Sequence, residues 1–191
     1  VLIDFGDAPT SYPVTLGDDG ARHVLSALFL GADVDAELDG QPSSAADGDG
    51  EDEDGLIMIA DPVAVAGSET VASWLVDASE AGKLDAWIDF NRDGDWNDPG
   101  EKVHNSIEVT AGSNLLGFTV PAGATSGVTF ARLRISSVGG LEPTGLAPDG
   151  EVEDHPLLIL DGSSAPDALV TMIDSQIEIA AVSDQIVIRQ G

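Results

Sequence analysis

The sequence predicts an all-β protein, two antiparallel sheets packed face to face as a jelly-roll-like β-sandwich with acidic loops at its ends. Three observations predict it. From residue 56 onward, short apolar or alternating runs are separated by turns rich in Gly, Pro, Asn and Asp. No apolar face of helical period appears between residues 60 and 160. And 42% of the 191 residues are hydrophobic, enough to line a core even though 35 acids against 7 bases give a formal net charge of −28.

Each element follows from its run. LIMIA at 56–60 is a short strand, and ETVASWLVDA at 69–78 is a second, closed by the turn SEAGK. LDAWIDF at 84–90 alternates, so Leu84, Ala86, Ile88 and Phe90 share one face while Trp87 points away with Asp85 and Asp89. KVHNSIEV at 102–109 and NLLGFTVP at 114–121 follow, the latter stopped by Pro121. GVTFARLRIS at 127–136 is the longest alternating run, with Ala131, Leu133 and Ile135 on a further apolar face, and EVEDHPLLIL at 151–160 is the last strand. HVLSALFLG at 23–31 is apolar, and its periodicity does not separate strand from short helix. This divides the chain into a body, residues 1–160, and a tail, 161–191, of linker and short strands (IEIAAV, QIVIRQG). The tail either packs on the sandwich or begins a further domain.

The acidity argues against nucleic acid and against an anionic membrane surface as partners. No apolar run reaches membrane-spanning length, so direct membrane insertion is not expected. Cysteine is absent, which excludes disulfides and thiol catalysis and points weakly to an extracellular setting. A chain that starts at Val1 without a basic, apolar leader reads as a processed product or excised fragment.

The acids are clustered. In DFNRDGDWNDPGE, oxygen-bearing side chains recur at alternate positions, Asp89, Asn91, Asp93, Asp95 and Asn97, with Gly94 at the sixth place where the chain turns sharply. That is the spacing of a calcium loop of EF-hand type, and Ca2+ suits it because it accepts six to eight oxygens in irregular geometry. The twelfth place is Gly100, so the closing carboxylate is Glu101, and the flanks read as strands. A solvated acidic turn is the alternative. A second run holds Asp47, Asp49, Glu51, Asp52 and Asp54; it either wraps a cation or stays spread in solvent. In the third, Glu151 and Glu153 fall on one side of a strand, with Val152 and Asp154 on the other. His23, His104 and His155 are scattered, so a transition metal is not expected.

The run GEVEDH at 150–155 resembles the signature of the GEVED domain family of bacterial secreted and cell-surface modules. DFGDAPTSY at 4–12, AWIDFNRDGDW at 86–96, ARLR at 131–134 and PTGLAPDGEVED at 143–154 are similar to other stretches of it. The resemblance spans about residues 4–160. It implies a β-sandwich module within a larger extracellular chain, supports the loop Asp89–Glu101, and singles out Asp4 and Asp7 beside Glu151, Glu153 and Asp154. His155 stands where the family commonly carries an aromatic.

The function expected is therefore a non-catalytic, calcium-binding module of an extracellular or cell-surface bacterial protein. It would act in adhesion, in ligand binding or as a spacer between other domains of a larger parent chain. Its partners would be calcium and a glycan or a cell-surface protein. A calcium-dependent carbohydrate-binding module would need exposed aromatics, for which Trp87, Trp96, Trp74 and Tyr12 are the candidates. A secreted glycoside hydrolase is the catalytic alternative, since among 35 acids some pair will stand at a suitable separation by chance. No G-x-S-x-G elbow, H-E-x-x-H run or phosphate-cradling glycine loop accompanies it.

Overall fold

The computed structural model describes residues 1–48, 54–163, 168–173, 176–181 and 187–188. The body is built from β1 (Ile3–Phe5), β2 (Arg22–Val24), β3 (Leu56–Ala60), β4 (Val63–Ala64), β5 (Thr70–Ala78), β6 (Gly82–Ile88), β7 (Lys102–Val109), β8 (Gly112–Val120), β9 (Gly127–Ser136), β10 (Leu146–Ala147) and β11 (Glu151–Asp161). β12 (Ala168–Ile173), β13 (Gln176–Ala181) and β14 (Val187–Ile188) follow and pair only with one another among the described residues. The all-β class is as expected.

Three sheets make the body: a five-stranded one in the order β4-β11-β9-β6-β7, a three-stranded one in the order β3-β5-β8, and a small one, β1-β2-β10. The first two share the main core. β5 contributes Trp74 and Val76, β8 Phe118 and Val120, β6 Leu84, Ala86 and Ile88, β9 Ala131, Leu133 and Ile135, and β11 Leu157 and Ile159. Two apolar faces drive this packing, because neither sheet can leave its face in water. The sets on β6 and β9 line the same face, since these strands are antiparallel neighbours with Ala86 opposite Leu133. HVLSALFLG is neither helix nor long strand. β2 ends at Val24, and the chain then runs irregularly while Leu28 and Leu30 reach the core, Leu30 bridging to Ala78.

The five-stranded sheet differs from a simple sandwich leaf, because its second face is also buried. Trp87 from β6 joins Ala8, Tyr12, Val14 and Trp96 in a second cluster, against which Phe130 and Leu141 pack. β5, by contrast, alternates buried and accessible positions along its length. The residues that should have faced solvent from β6, β9 and β11 are thus covered by the N-terminal segment and the loop before β10.

Inside the main core, Trp74 donates its indole N–H to Nε2 of His104 at 3.2 Å and packs on Phe118, ring centroids 4.6 Å apart. Burial holds His104 down at about 4, well under the ordinary histidine value.

Two outcomes are expected. Leu133→Ala opens a cavity between the sheets and lowers stability by about 2–5 kcal/mol in urea unfolding. The second concerns acid. Above pH 6.5 His104 is neutral in both states and contributes no pH dependence. Between 6.5 and about 4 only the unfolded chain takes up the proton, so stability falls as pH falls. The slope attributable to this group is roughly 1.4 kcal/mol per pH unit. His104→Gln, which keeps an acceptor for Trp74, should flatten the profile by that amount relative to wild type.

Candidate functional site

The Asp89–Glu101 loop is shaped by its own carboxylates. Asp89, fully buried, accepts N–H groups of Arg92 (2.5 Å) and Asp93 (3.3 Å) on Oδ1 and of Gly94 (3.0 Å) on Oδ2, where the Tyr12 hydroxyl also donates at 2.6 Å. Side-chain oxygens then cap the backbone two residues on: Asn91 the N–H of Asp93, Asp93 that of Asp95, and Asp95 that of Asn97. These repeated Asx turns give the loop its curl. Gly94 has φ +94°, and a Cβ there would stand 3.1 Å from Ser11, so both reasons for glycine apply. Glu101 is 2% exposed and accepts from Phe90 N (3.1 Å) and Asp98 N (3.1 Å), which folds the end of the loop onto its beginning. Burial raises its carboxyl to about 7, against the pull of those N–H groups. Burial, then Asp89, pushes the Tyr12 hydroxyl above its usual range.

The loop's bases are engaged elsewhere. Arg92 donates to the carbonyls of Ser126 and Val128, and Lys102 pairs with buried Asp85 at 2.9 Å while lying over the Trp87 ring. Asp93, Asp95, Asp98 and Glu101 make no ion pair among the described residues. Asn91 Nδ2 donates instead to Asp93 (3.0 Å) and Asp98 (2.5 Å), drawing two carboxylates together. Asp98 was not legible as part of this group, because it falls off the alternate spacing.

The second group lies on β11. Register confirms the alternation read from sequence: Glu151 and Glu153 stand opposite the core-facing Ile135 and Leu133, Val152 and Asp154 opposite Arg134 and Arg132. Gly150 enters the strand at φ +94°, where a Cβ would collide with the Ile135 carbonyl. Each acid then fixes a distant segment. Glu151 accepts from Leu30 N, Glu153 from Gly55 N (2.9 Å) and Asp154 from Ala8 N (2.9 Å), while Asp4 accepts from Val152 N (2.7 Å) and Asp7 from Gly48 N (2.6 Å). His155 lies 2.9 Å from Glu153.

Two arginines complete it. Arg132 binds Asp154 through two parallel hydrogen bonds of 2.7 and 2.6 Å, both side chains fully buried, and donates to the Pro13 and Pro143 carbonyls while its guanidinium stacks on Trp96. Arg134 spends one N–H on His23 Nε2 (2.9 Å) and four on the carbonyls of Arg22, Glu142, Thr144 and Gly145. Burial and Arg132 lower it to about 9. His23 meets the Asp149 carbonyl through Nδ1, which fixes the Nδ1–H tautomer; burial first, then Arg134, depresses its basicity. ARLR at 131–134 marked this strand, but nothing local showed that its arginines point into the protein.

The remaining candidates are dispersed. Trp74, Trp87, Trp96 and Tyr12 are all buried, Trp96 stacked on Tyr12 with centroids 4.3 Å apart, so these four form no exposed aromatic platform. Asp47 accepts from Ser43 Oγ, and Asp54 from Ala32 N. Asp49, Glu51 and Asp52 lie outside the described residues. Among the described residues no group of three or more His, Asp or Glu side chains is gathered closely enough to hold a metal ion.

Strand order, the acidic β6–β7 loop and the Gly-Glu-Val-Glu-Asp strand define an all-β module. Residues 83–158, from β6 through most of β11, match the model of the GEVED domain, and this part of the chain is a GEVED domain. Such domains are non-catalytic and typically occur in secreted or cell-surface bacterial proteins. No curated protein and no solved structure matches the chain. No helix among the described residues is long and apolar enough to cross a membrane.

Removing Asp154 strands Arg132 and the Ala8 N–H in the interior, so Asp154→Ala should cost about 3–5 kcal/mol in chemical denaturation. The apolar double replacement Arg132→Met with Asp154→Leu removes the unpaired charge but still strands the Ala8 N–H and the Pro13 and Pro143 carbonyls, so it should recover only part of the loss, the charge-pair share read as the coupling energy of the double-mutant cycle.

Proposed function

We infer that the chain is a calcium-ordered structural module of a secreted or cell-surface protein, acting in adhesion or as a spacer rather than in catalysis. The observation that carries this reading is the 89–101 loop: five carboxylates within thirteen residues, curled by Asx turns, with both nearby basic side chains committed elsewhere. The donor set fits a hard cation, since it offers only carboxylate, amide and carbonyl oxygens. The carboxylates of Asp89, Asp93, Asp95 and Glu101 are not gathered around one point in this structure; with Asn91 and Asn97 they would hold Ca2+ once the loop closes on it. Asp89 already accepts two hydrogen bonds on each oxygen, so ligating Ca2+ would require it to give up at least one of them, the Asp93 N–H at 3.3 Å being the longest. Bound Ca2+ would supply charge neutralisation, and the residues' own part is to hold β6 and β7 in register across the loop.

The fold supports the same use. We read the two sheets sharing the main core as the leaves of a jelly-roll-like sandwich, residues 1–160 as its extent, and 161–191 as the start of a further unit. With Trp74, Trp87, Trp96 and Tyr12 inside, glycan recognition through them has no support.

Chelator-treated protein titrated with calcium should give a calorimetric isotherm with Kd of about 0.1–1 mM, as in other extracellular modules. At roughly a hundredfold excess over Kd the Tm should rise by about 5–10 °C. Asp93→Ala, at an exposed position, should weaken binding without lowering the calcium-free Tm. Absence of heat together with an unchanged Tm would reject the calcium reading.

A further inference from the structure

The edges of the body's sheets differ in how they are protected. β4 and β10 have two residues each and β1 has three. β3 is interrupted by a register shift between Met58 and Ala60. β7 carries Lys102 and Glu108 and pairs with β6 through two register shifts. Short length, bulges and charge are the usual means of keeping an edge from templating another strand. β8 has none of them. It pairs with β5 over nine consecutive residues without a shift, and GSNLLGFTV contains no charge and no proline. Among the described residues nothing pairs with its outer side.

The occupant such an edge accepts is another extended strand, because what it presents is a row of backbone donors and acceptors. Two features favour a second copy of the same strand. Antiparallel pairing about Leu116 uses all nine residues and sets Leu115 of each copy against Gly117 of the other, and Ser113 against Thr119. Leu115 is 67% exposed, and a Cβ built on Gly117 meets only the Ala72 carbonyl oxygen at 3.8 Å, so a projecting side chain faces an open place. Ser–Thr is a favourable cross-strand pair. Charge is the second feature. Two chains of net charge −28 repel over most of their surfaces, and this strand brings no acid of its own to the seam.

We propose that β8 is a self-association edge through which two copies join antiparallel, in register about Leu116, into one continuous sheet. Ile57 (59% exposed) and Leu75 lie in the same cross-strand row as Leu115, so each copy brings one apolar row to the seam, the two rows offset by two residues where each Leu115 meets Gly117 of the other copy. This does not depend on the calcium reading.

Sedimentation velocity of the full chain over a concentration series should show a monomer–dimer equilibrium that strengthens with salt as repulsion is screened. Leu115→Lys should weaken it by roughly tenfold or more with unchanged Tm. Val71→Lys, on the same outer face but on the middle strand, should leave it intact. As the chain has no cysteine, oxidising a mixture of Leu115→Cys and Gly117→Cys proteins should give more cross-linked dimer than either alone. A monomer at every concentration, or equal loss in Val71→Lys, would overturn the proposal. So would a dimer that survives Leu115→Lys but disappears when residues 164–191 are removed.

Discussion

Burying an ionised carboxylate costs several kcal/mol unless the protein replaces the water it loses. Among the described residues this chain buries eight carboxyl groups, those of Asp4, Asp7, Asp85, Asp89, Glu101, Glu151, Glu153 and Asp154, and every one accepts at least one backbone N–H. Asp85 and Asp154 also meet a Lys or Arg side chain in an ion pair. The loops of this protein have few regular partners for their own amides, and the acids provide them. An irregular segment can thus lie against the sheet without orphaned donors, the condition that normally keeps loops at the surface. The acidic composition is therefore a structural material as well as a surface charge.

The same accounting explains the polar second face of the five-stranded sheet. A purely apolar face would have required a second apolar layer, which the turn-rich N-terminal segment lacks. Instead, Arg132 and Arg134 turn their donors onto the carbonyls of Pro13, Arg22, Glu142, Pro143, Thr144 and Gly145, while Asp154 and Asp4 turn acceptors onto amides. Donor and acceptor surfaces meet, and the small Tyr12–Trp96–Trp87 cluster supplies the apolar remainder.

How much of this the sequence discloses depends on distance along the chain. β6 and β9 were legible because their period of two repeats within a few residues, and the predicted bounds of β9 are those observed. The curl of the 89–101 loop was legible for the same reason: most of its hydrogen bonds close within five residues. The opposite sides taken by Glu151 and Asp154 followed from alternation alone, but their partners Leu30 and Ala8 lie 121 and 146 residues away and left no local mark. Trp87 and Trp96 beside an acidic loop suggested a platform in water. Their burial is decided by the segment Ala8–Val14, whose sequence, rich in turn residues, gives no hint that it covers anything.

The closure of Asp4 on Val152 and of Ala8 on Asp154 has a consequence for how the molecule comes into being. During synthesis the opening residues emerge long before the strand that will receive them. The contacts of the N-terminal segment with β11 can therefore form only after that strand has been made, and each closes a loop of nearly 150 residues. A copy truncated before residue 152 retains the sequences of β1 and β2 but has lost the acceptor and donor that bind them to the rest.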